Sequence, residues 1–583
     1  MNILKFKHYI PVVLAALCLS SCVDTVLLPD DKTVDEDFWK TKSDVSSMVM
    51  GAYQSMCSSN VIKSLIVWGD FRSDELVPVT SLSTSNATVN ALTQIDAVNV
   101  ETTNAFAAWA PIYKVINNCN IVLDRAESVM SVDPSYTQGD YLSDRSQMLA
   151  LRALCYLYLV RNFRDVPYSG HAYMKSSEEM NIPQVNPDSI LNVCIADLKE
   201  AELNALDPTS YNDWRSKGLI NRDAIDAILA DIYLWRASVL HSASDYQECV
   251  NYCDKVIASK QANHQPQRGE LTTKEYPLAD GDEAYNDLFI DQNAEESIFE
   301  LQFDGNSNSN LGLTEMFSNY NDKNSATTGF VRASSIFGSR GSGAAVFSQN
   351  GDYRVLEDCY NVLTDASSYD VRKMIATESW NIGNPVNVTA GQKRSGRLVS
   401  NGVSQNYIFY RLSDVMLMKA EAMTQLAADD NDIILREAFN LVQAVNSRSI
   451  YEGSLSSDSL RWASYNTKTN METLVLNERL RELCFEGKRW YDLMRYNYRH
   501  VEGIDYSTTL YDQEQQGKNF VNNYTNMLNL VVRKYTSGAQ AAAAKMRTEP
   551  YLYMPVIQSE IDVNSNLRQN PAYSSNDEYE KNY

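Results

Sequence analysis

The chain has 583 residues, 44% of them hydrophobic, and a formal net charge of −23 at pH 7. That charge as a whole repels a polyanion, which argues against nucleic acid as a partner, while the apolar fraction is that of a globular chain able to bury a sizeable core. The five histidines stand far apart and the ten cysteines form no CxxC pair, so no metal and no cofactor is expected, and the thiols read as buried and free.

Residues 1–21 read as an export signal: Lys5 and Lys7 precede a short apolar run, Ile10 to Leu19, too short to remain as a membrane span. Leu19-Ser20-Ser21-Cys22 resembles a bacterial lipobox, which would make Cys22 an acylated mature N-terminus and the protein membrane-anchored without crossing the bilayer. Residues 22–37 are a polar tether. A helix is expected from about Asp37 to Cys57. Trp68 to Asp74 (WGDFRSD) is a compact mixed aromatic and charged segment, and 77–104, rich in Ser, Thr and Asn, reads as a long loop of the kind that often carries function.

From Trp109 the periodicity is helical. Helices are expected over Trp109 to Leu123, Met148 to Phe163, from Pro187 to about Leu206, Arg222 to Ser242 and Asp245 to Ser259. The last two, with Ala227, Ala230, Tyr233 and Ala237 followed by Tyr246, Tyr252 and Cys253, look like a tetratricopeptide helix pair. Two more helices span Leu412 to Leu426 and Ile433 to Arg448. Residues 261–406 are rich in Gly, Asn, Ser and isolated aromatics, with apolar runs too short for a core of their own. They read as loops and short strands laid on the helical scaffold, and 499–583 reads as similarly irregular. The Gly- and Ser-rich tract Gly338 to Gly351 lacks the spacing of a phosphate loop.

Asn477 to Tyr498 stands apart. Leu480, Leu483, Gly487, Trp490 and Met494 repeat at steps of three and four, which predicts one broad-striped helix that other elements pack against. Gly487 within a helix costs about 1 kcal/mol against Ala, so another backbone is expected close by. The remaining faces carry Glu478, Arg481, Glu486, Arg489, Asp492 and Arg495, read as a solvated, ion-paired surface.

Six segments in order resemble the SusD/RagB family of nutrient-binding outer-membrane lipoproteins of Bacteroidota. They are the lipobox at Cys22; Asp37-Phe38-Trp39-Lys40 with Gly51-Ala52-Tyr53; Arg152 to Tyr156 leading to Asp165-Val166-Pro167; Tyr410 to Val415 with Ala420-Glu421-Ala422; Glu478 to Leu483 through Glu486 to Leu493; and Pro555 to Asp562 with Asn564 to Tyr573. The resemblance implies a mainly α fold: a tetratricopeptide-like scaffold of four helix pairs bearing an irregular variable region of loops and short strands. The divisions are then a signal at 1–21, a tether at 22–37, an N-terminal helical part at 38–260, a variable ligand-facing region at 261–406 and a C-terminal part at 407–583, with 22–583 one compact unit. It also implies a role. Such proteins bind a nutrient, usually an oligosaccharide, at the cell surface, act as the lid of a SusC-like TonB-dependent transporter, and are not enzymes.

Sugars are held by aromatic rings stacked on their apolar faces and by polar groups that take their hydroxyls. The family places such residues in the loop after the first helices and in the variable region. The loop 77–104 has no Trp or Tyr, a departure from starch-binding members. Candidate ligand contacts are Arg72 and Asp74, with a local ion pair as the alternative, and Phe317, Tyr320, Phe330 and Trp380, each with core packing as the alternative. A surface glycosidase would need two carboxylates about 5 to 10 Å apart in a cleft, and no pair stands out among so many acids. Peptide or glycoprotein ligands, and a purely structural scaffold, are the other readings.

Overall fold

The computed structural model describes residues 38–574 apart from 79–85, 175–177, 179–180, 265–274, 281–283, 285, 318–328, 335, 337–401, 450–459, 521–524 and 536. The lipobox, the tether, the Gly338 to Gly351 tract, Tyr320 and Trp380 lie outside the described residues.

The helices start where the sequence supplies a cap. Helix α1 (Lys42–Met56) opens with a capping box in which Thr41 and Asp44 each accept the other's backbone N–H. It begins several residues later than expected, leaving Trp39 packed outside it. Helix α2 (Ser59–Ile66) runs into a π-helical turn, Val67–Phe71. The stretch 77–104 is not one long loop: it holds α3 (Ala87–Asp96), capped by Asn86, which buries Val89, Ala91, Leu92 and Ile95. Then come α4 (Ala110–Val129) and α5 (Gln138–Phe163), which starts at a second capping box, Thr137 with Asp140, well before Met148. Helix α6 (Pro187–Leu203) has proline at its first position.

Helices α7 (Arg222–Leu240) and α8 (Ala243–Asn263) form the expected pair. Ala227, Ala230 and Ala237 are fully buried, so the two backbones come close, and Tyr233 stacks on Tyr252 at 5.8 Å and 12°. Helix α9 (Leu311–Met316) packs on α2, where a Cβ on Gly312 would stand 2.8 Å from the Ser59 carbonyl. Helices α10 (Leu412–Leu426) and α11 (Ile433–Arg448) lie where the periodicity puts them, and α10 packs on α8.

The stretch expected as one helix from Asn477 to Tyr498 is two. Helix α12 (Lys468–Leu483) stops, and α13 (Arg489–Tyr498) begins after a turn in which Phe485 has φ +63° and Gly487 φ +74°. Its charges are not solvated either: Glu478, Arg479, Glu482, Glu486, Lys488, Arg489, Asp492 and Arg495 are all buried. The C-terminal part is less irregular than expected, with short helices α14 (Leu510–Gln515), α15 (Thr525–Val531), α16 (Ala539–Lys545) and α17 (Gln558–Val563).

Among the described residues, three two-stranded antiparallel sheets tie distant segments. Strand β1 (Leu76–Pro78) pairs with β5 (Val331–Ala333), β2 (Val166–Pro167) with β3 (Gln184–Val185), and β4 (Ser297–Leu301) with β6 (Tyr407–Arg411). The core runs continuously through the helical layers, and Trp68, Trp235 and Trp490 are among its largest fully buried side chains. The seven described cysteines are buried, and the thiols of Cys57, Cys119, Cys155, Cys194, Cys249 and Cys253 are free. Among the described residues no helix is long and apolar enough to cross a membrane.

Candidate functional site

The turn between α12 and α13 is held from one side by the Val67–Phe71 turn and the residues after it. Gly69 lies against it so closely that a Cβ there would stand 2.2 Å from the Gly487 carbonyl oxygen. Asp70 accepts the Gly487 N–H with both carboxylate oxygens at 2.9 Å, and Glu75 accepts the Phe485 N–H at 3.2 Å. Both acids are wholly buried. Burial, opposed by the Gly487 N–H, pushes Asp70 up to about 7. Burial and then the Asp70 charge raise Glu75 well above the carboxylate range. Burial and the repulsion of two like charges both favour a proton on this pair over two ionised carboxylates.

Asp74, in the same segment, forms a two-pronged pair with Arg489 at 2.8 and 3.0 Å. Burial opposes its charge, yet Arg489 holds its carboxyl below the usual range. Arg72 is also buried. It donates to the Asn162 side chain at 3.5 Å and the Leu552 carbonyl at 2.5 Å, and lies 4.3 Å over the Trp490 ring. For Asp74 the ion pair, rather than an exposed ligand contact, is what this geometry provides, and Arg72 is likewise engaged inside the protein.

Behind the turn lies a lattice of buried charge. Arg411 reaches Glu296 at 2.7 Å, Glu482 at 2.5 Å and Glu486 at 2.8 Å, and Arg448 pairs with Glu482. Arg479 bridges Asp414 and Asp492, both at 2.9 Å. Arg495 joins Glu421 to Asp492, and Arg499 joins Glu421 to Glu472. Arg161 pairs with Asp231, which also accepts from the Tyr410 hydroxyl at 2.8 Å. Burial opposes the charges of Glu421 and Asp231, but the guanidiniums hold both well below their ordinary values. Each acid is taken up by a fixed base, so the lattice ties these segments of backbone together.

The outward edge of this assembly is the β1–β5 pair. In its register Pro78 stands opposite Val331, so β1 ends where β5 begins. Ser334 fastens the other end, donating its N–H to the Glu75 carbonyl at 2.7 Å and its hydroxyl to the Asp74 carbonyl. The loop after the first helices and the variable region thus meet on one rung of strand. Phe330, next to the pair, is half-buried, whereas Phe317 is 3% exposed and belongs to the core. From the C-terminal part, Lys534 donates to the Phe71 carbonyl at 2.9 Å, and Arg533 approaches Asp74 at 3.6 Å with half its side chain exposed. Sequence reasoning misses Gly69, Asp70, Glu75 and Arg533. The WGDFRSD segment is the one sign it offers, and nothing in it names a partner more than 400 residues away.

A profile described as the SusD family matches residues 359–573, and one described as starch-binding, associating with the outer membrane, matches residues 28–234. The chain belongs to the SusD/RagB family. A SusD-like protein of Formosa agariphila is 25% identical over 517 residues, covering 82% of this chain and 89% of its own, and a second is 24% identical over 518 residues, covering 84% and 90%. Among solved structures, a SusD superfamily protein from Bacteroides thetaiotaomicron superposes with a TM-score of 0.61 at 20% identity, over 92% of this chain and 99% of its own. A SusD homolog from the same species gives 0.63 at 16% identity, over 93% and 99%. The SusD fold, a mostly helical scaffold bearing few and short strands, is therefore that of this chain.

Proposed function

We propose that this SusD-family protein is a lipid-anchored, surface-exposed binder of an oligosaccharide nutrient that acts as the lid of a SusC-like TonB-dependent outer-membrane transporter, without itself cleaving the ligand. The observation that carries the reading is the β1–β5 pair, which joins the two regions where the family keeps its ligand contacts, on a chain whose family description is starch-binding and associated with the outer membrane. Residues 261–406 are then the ligand-facing insertion, and Phe330, with Tyr320 and Trp380, supplies stacking rings. The helical parts on either side are the frame, and Cys22 with the following tether is the attachment. A buried charge lattice suits this role, because a lid must keep its shape while its partner moves.

The test is a pull-down from native outer membranes together with calorimetry against a glycan panel. A large barrel protein should co-purify, and a glycan should bind and be recovered intact. Cleaved product would remove the non-enzyme reading, and a protein recovered with no barrel would remove the lid.

A further inference from the structure

An oligosaccharide can be neutral or charged, and the charge distribution around β1 bears on which is bound. The chain as a whole has 74 acidic against 51 basic residues. Yet residues 515–548 contain Lys518, Arg533, Lys534, Lys545 and Arg547 and not one Asp or Glu. Arg533, Lys534 and Tyr535 lie beside the candidate face, and Lys545 just past α3. Lys534 is buried, donates to Phe71 and Leu76 carbonyls at 2.9 and 3.4 Å, and stands 3.3 Å from Asp96 at the end of α3. The Tyr535 hydroxyl donates to the Asp96 carbonyl at 2.6 Å, and Lys545 donates to the Asn99 side chain at 2.8 Å. Arg547 is exposed two residues further on.

The local acids are already claimed. Asp74 is wholly buried and held by both prongs of Arg489, so Arg533 at 3.6 Å is a second cation on one carboxylate. Asp96 has Lys534. Arg533, with 49% of its side chain exposed, therefore presents a second positive charge to solvent beside the strand pair, and Lys545, bonded to Asn99 just after α3, adds another, two residues before the exposed Arg547. A guanidinium offers the planar, two-pronged recognition that carboxylates and sulfates accept. On a protein this acidic, a basic strip next to the ligand face selects what the remaining surface repels.

Resting on the oligosaccharide reading, we propose that the ligand is an anionic glycan, with carboxylate or sulfate groups held by Arg533 and flanked by Lys545 and Arg547, and its sugar rings packed toward Phe330.

The experiment is calorimetry of the full mature chain at low and high NaCl against oligogalacturonides, chondroitin sulfate oligosaccharides and neutral malto- and galacto-oligosaccharides. An acidic series should bind with an affinity that falls steeply as salt rises; oligogalacturonides alone would identify carboxylate as the recognised group, and chondroitin sulfate alone would point to sulfate. Arg533→Gln should lower that affinity about tenfold, in keeping with loss of one charge-assisted pair, with an unchanged melting temperature because the side chain is half exposed. Lys545→Gln with Arg547→Gln should lower it further. Neutral glycans bound as tightly as acidic ones, or acidic binding indifferent to Arg533→Gln, would overturn the proposal while leaving the oligosaccharide reading standing. No binding by any glycan class would overturn both.

Discussion

Gly487→Ala isolates the contact that organises the α12–α13 turn. Gly487 has φ +74°, and an L-residue there costs about 1–2 kcal/mol for backbone strain alone. The added Cβ would also stand 2.3 Å from the Tyr407 hydroxyl oxygen. Tyr407 cannot easily retreat, because it is buried and its ring lies edge-on to Phe409 at 5.2 Å. Forcing an atom into such a site adds about 1–3 kcal/mol. The expected loss is about 2–5 kcal/mol, a large part of the roughly 5–15 kcal/mol by which native proteins are stable. Gly503→Ala is the internal control: its φ is +85° and nothing lies within 4 Å of the position its methyl group would take, so it should lose the strain alone. Urea unfolding followed by far-UV circular dichroism measures both. If Gly487→Ala is no more damaging than Gly503→Ala, the close packing of the turn is not what requires glycine there.

Other consequences can be measured alongside. Asp70 binds its proton more tightly folded than unfolded, its carboxyl being pushed up to about 7 by burial; the stability it brings is complete below the unfolded carboxylate range and is lost as pH rises through about 7. Asp70→Asn should flatten that decline in melting temperature, and an unchanged slope would place the proton elsewhere. Arg411→Met leaves Glu296, Glu482 and Glu486 without their shared cation and should cost about 3–5 kcal/mol in the same unfolding assay, as uncompensated buried charge does. Phe317→Ala should destabilise by about 3–5 kcal/mol as a core truncation, whereas Phe330→Ala should leave folding nearly intact and weaken ligand binding; the reverse pattern would move the ligand face. Cys22→Ala should shift the protein from the membrane to the soluble fraction.

The long helices were legible because their signals are local. The bounds of α10 and α11 follow from apolar spacing alone, as does the α7–α8 pair. Helix α3 was hidden because its polar faces resemble loop composition and only Val89, Ala91, Leu92 and Ile95 face inward. The break between α12 and α13 was hidden for a different reason: the apolar stripe resumes after the turn at a compatible spacing, so periodicity reads through it. The glycine did signal a neighbouring backbone, and Gly69 is that neighbour. The burial of the charges was not legible, because Arg489 and Asp74 are 415 positions apart and density of charge says nothing about who neutralises it. At the candidate face the family resemblance indicated the regions, while the strand pair that joins them depends on a three-residue register too short to stand out in sequence.

The β4–β6 sheet has a consequence for what the frame can carry between its two strands. Leu301 stands opposite Tyr407, so the long insertion between them departs and returns through one doorway. For a flexible loop, closure costs only about 0.6 kcal/mol more for each doubling of length. The frame can therefore accept longer or shorter stretches through the same pair of strands, provided α9 keeps its seat on α2 and β5 its pairing with β1, while Arg411 of β6 stays anchored in the ionic lattice beneath. The doorway works as a socket, and on the proposed reading of 261–406 as ligand-facing, specificity is the part that can be exchanged.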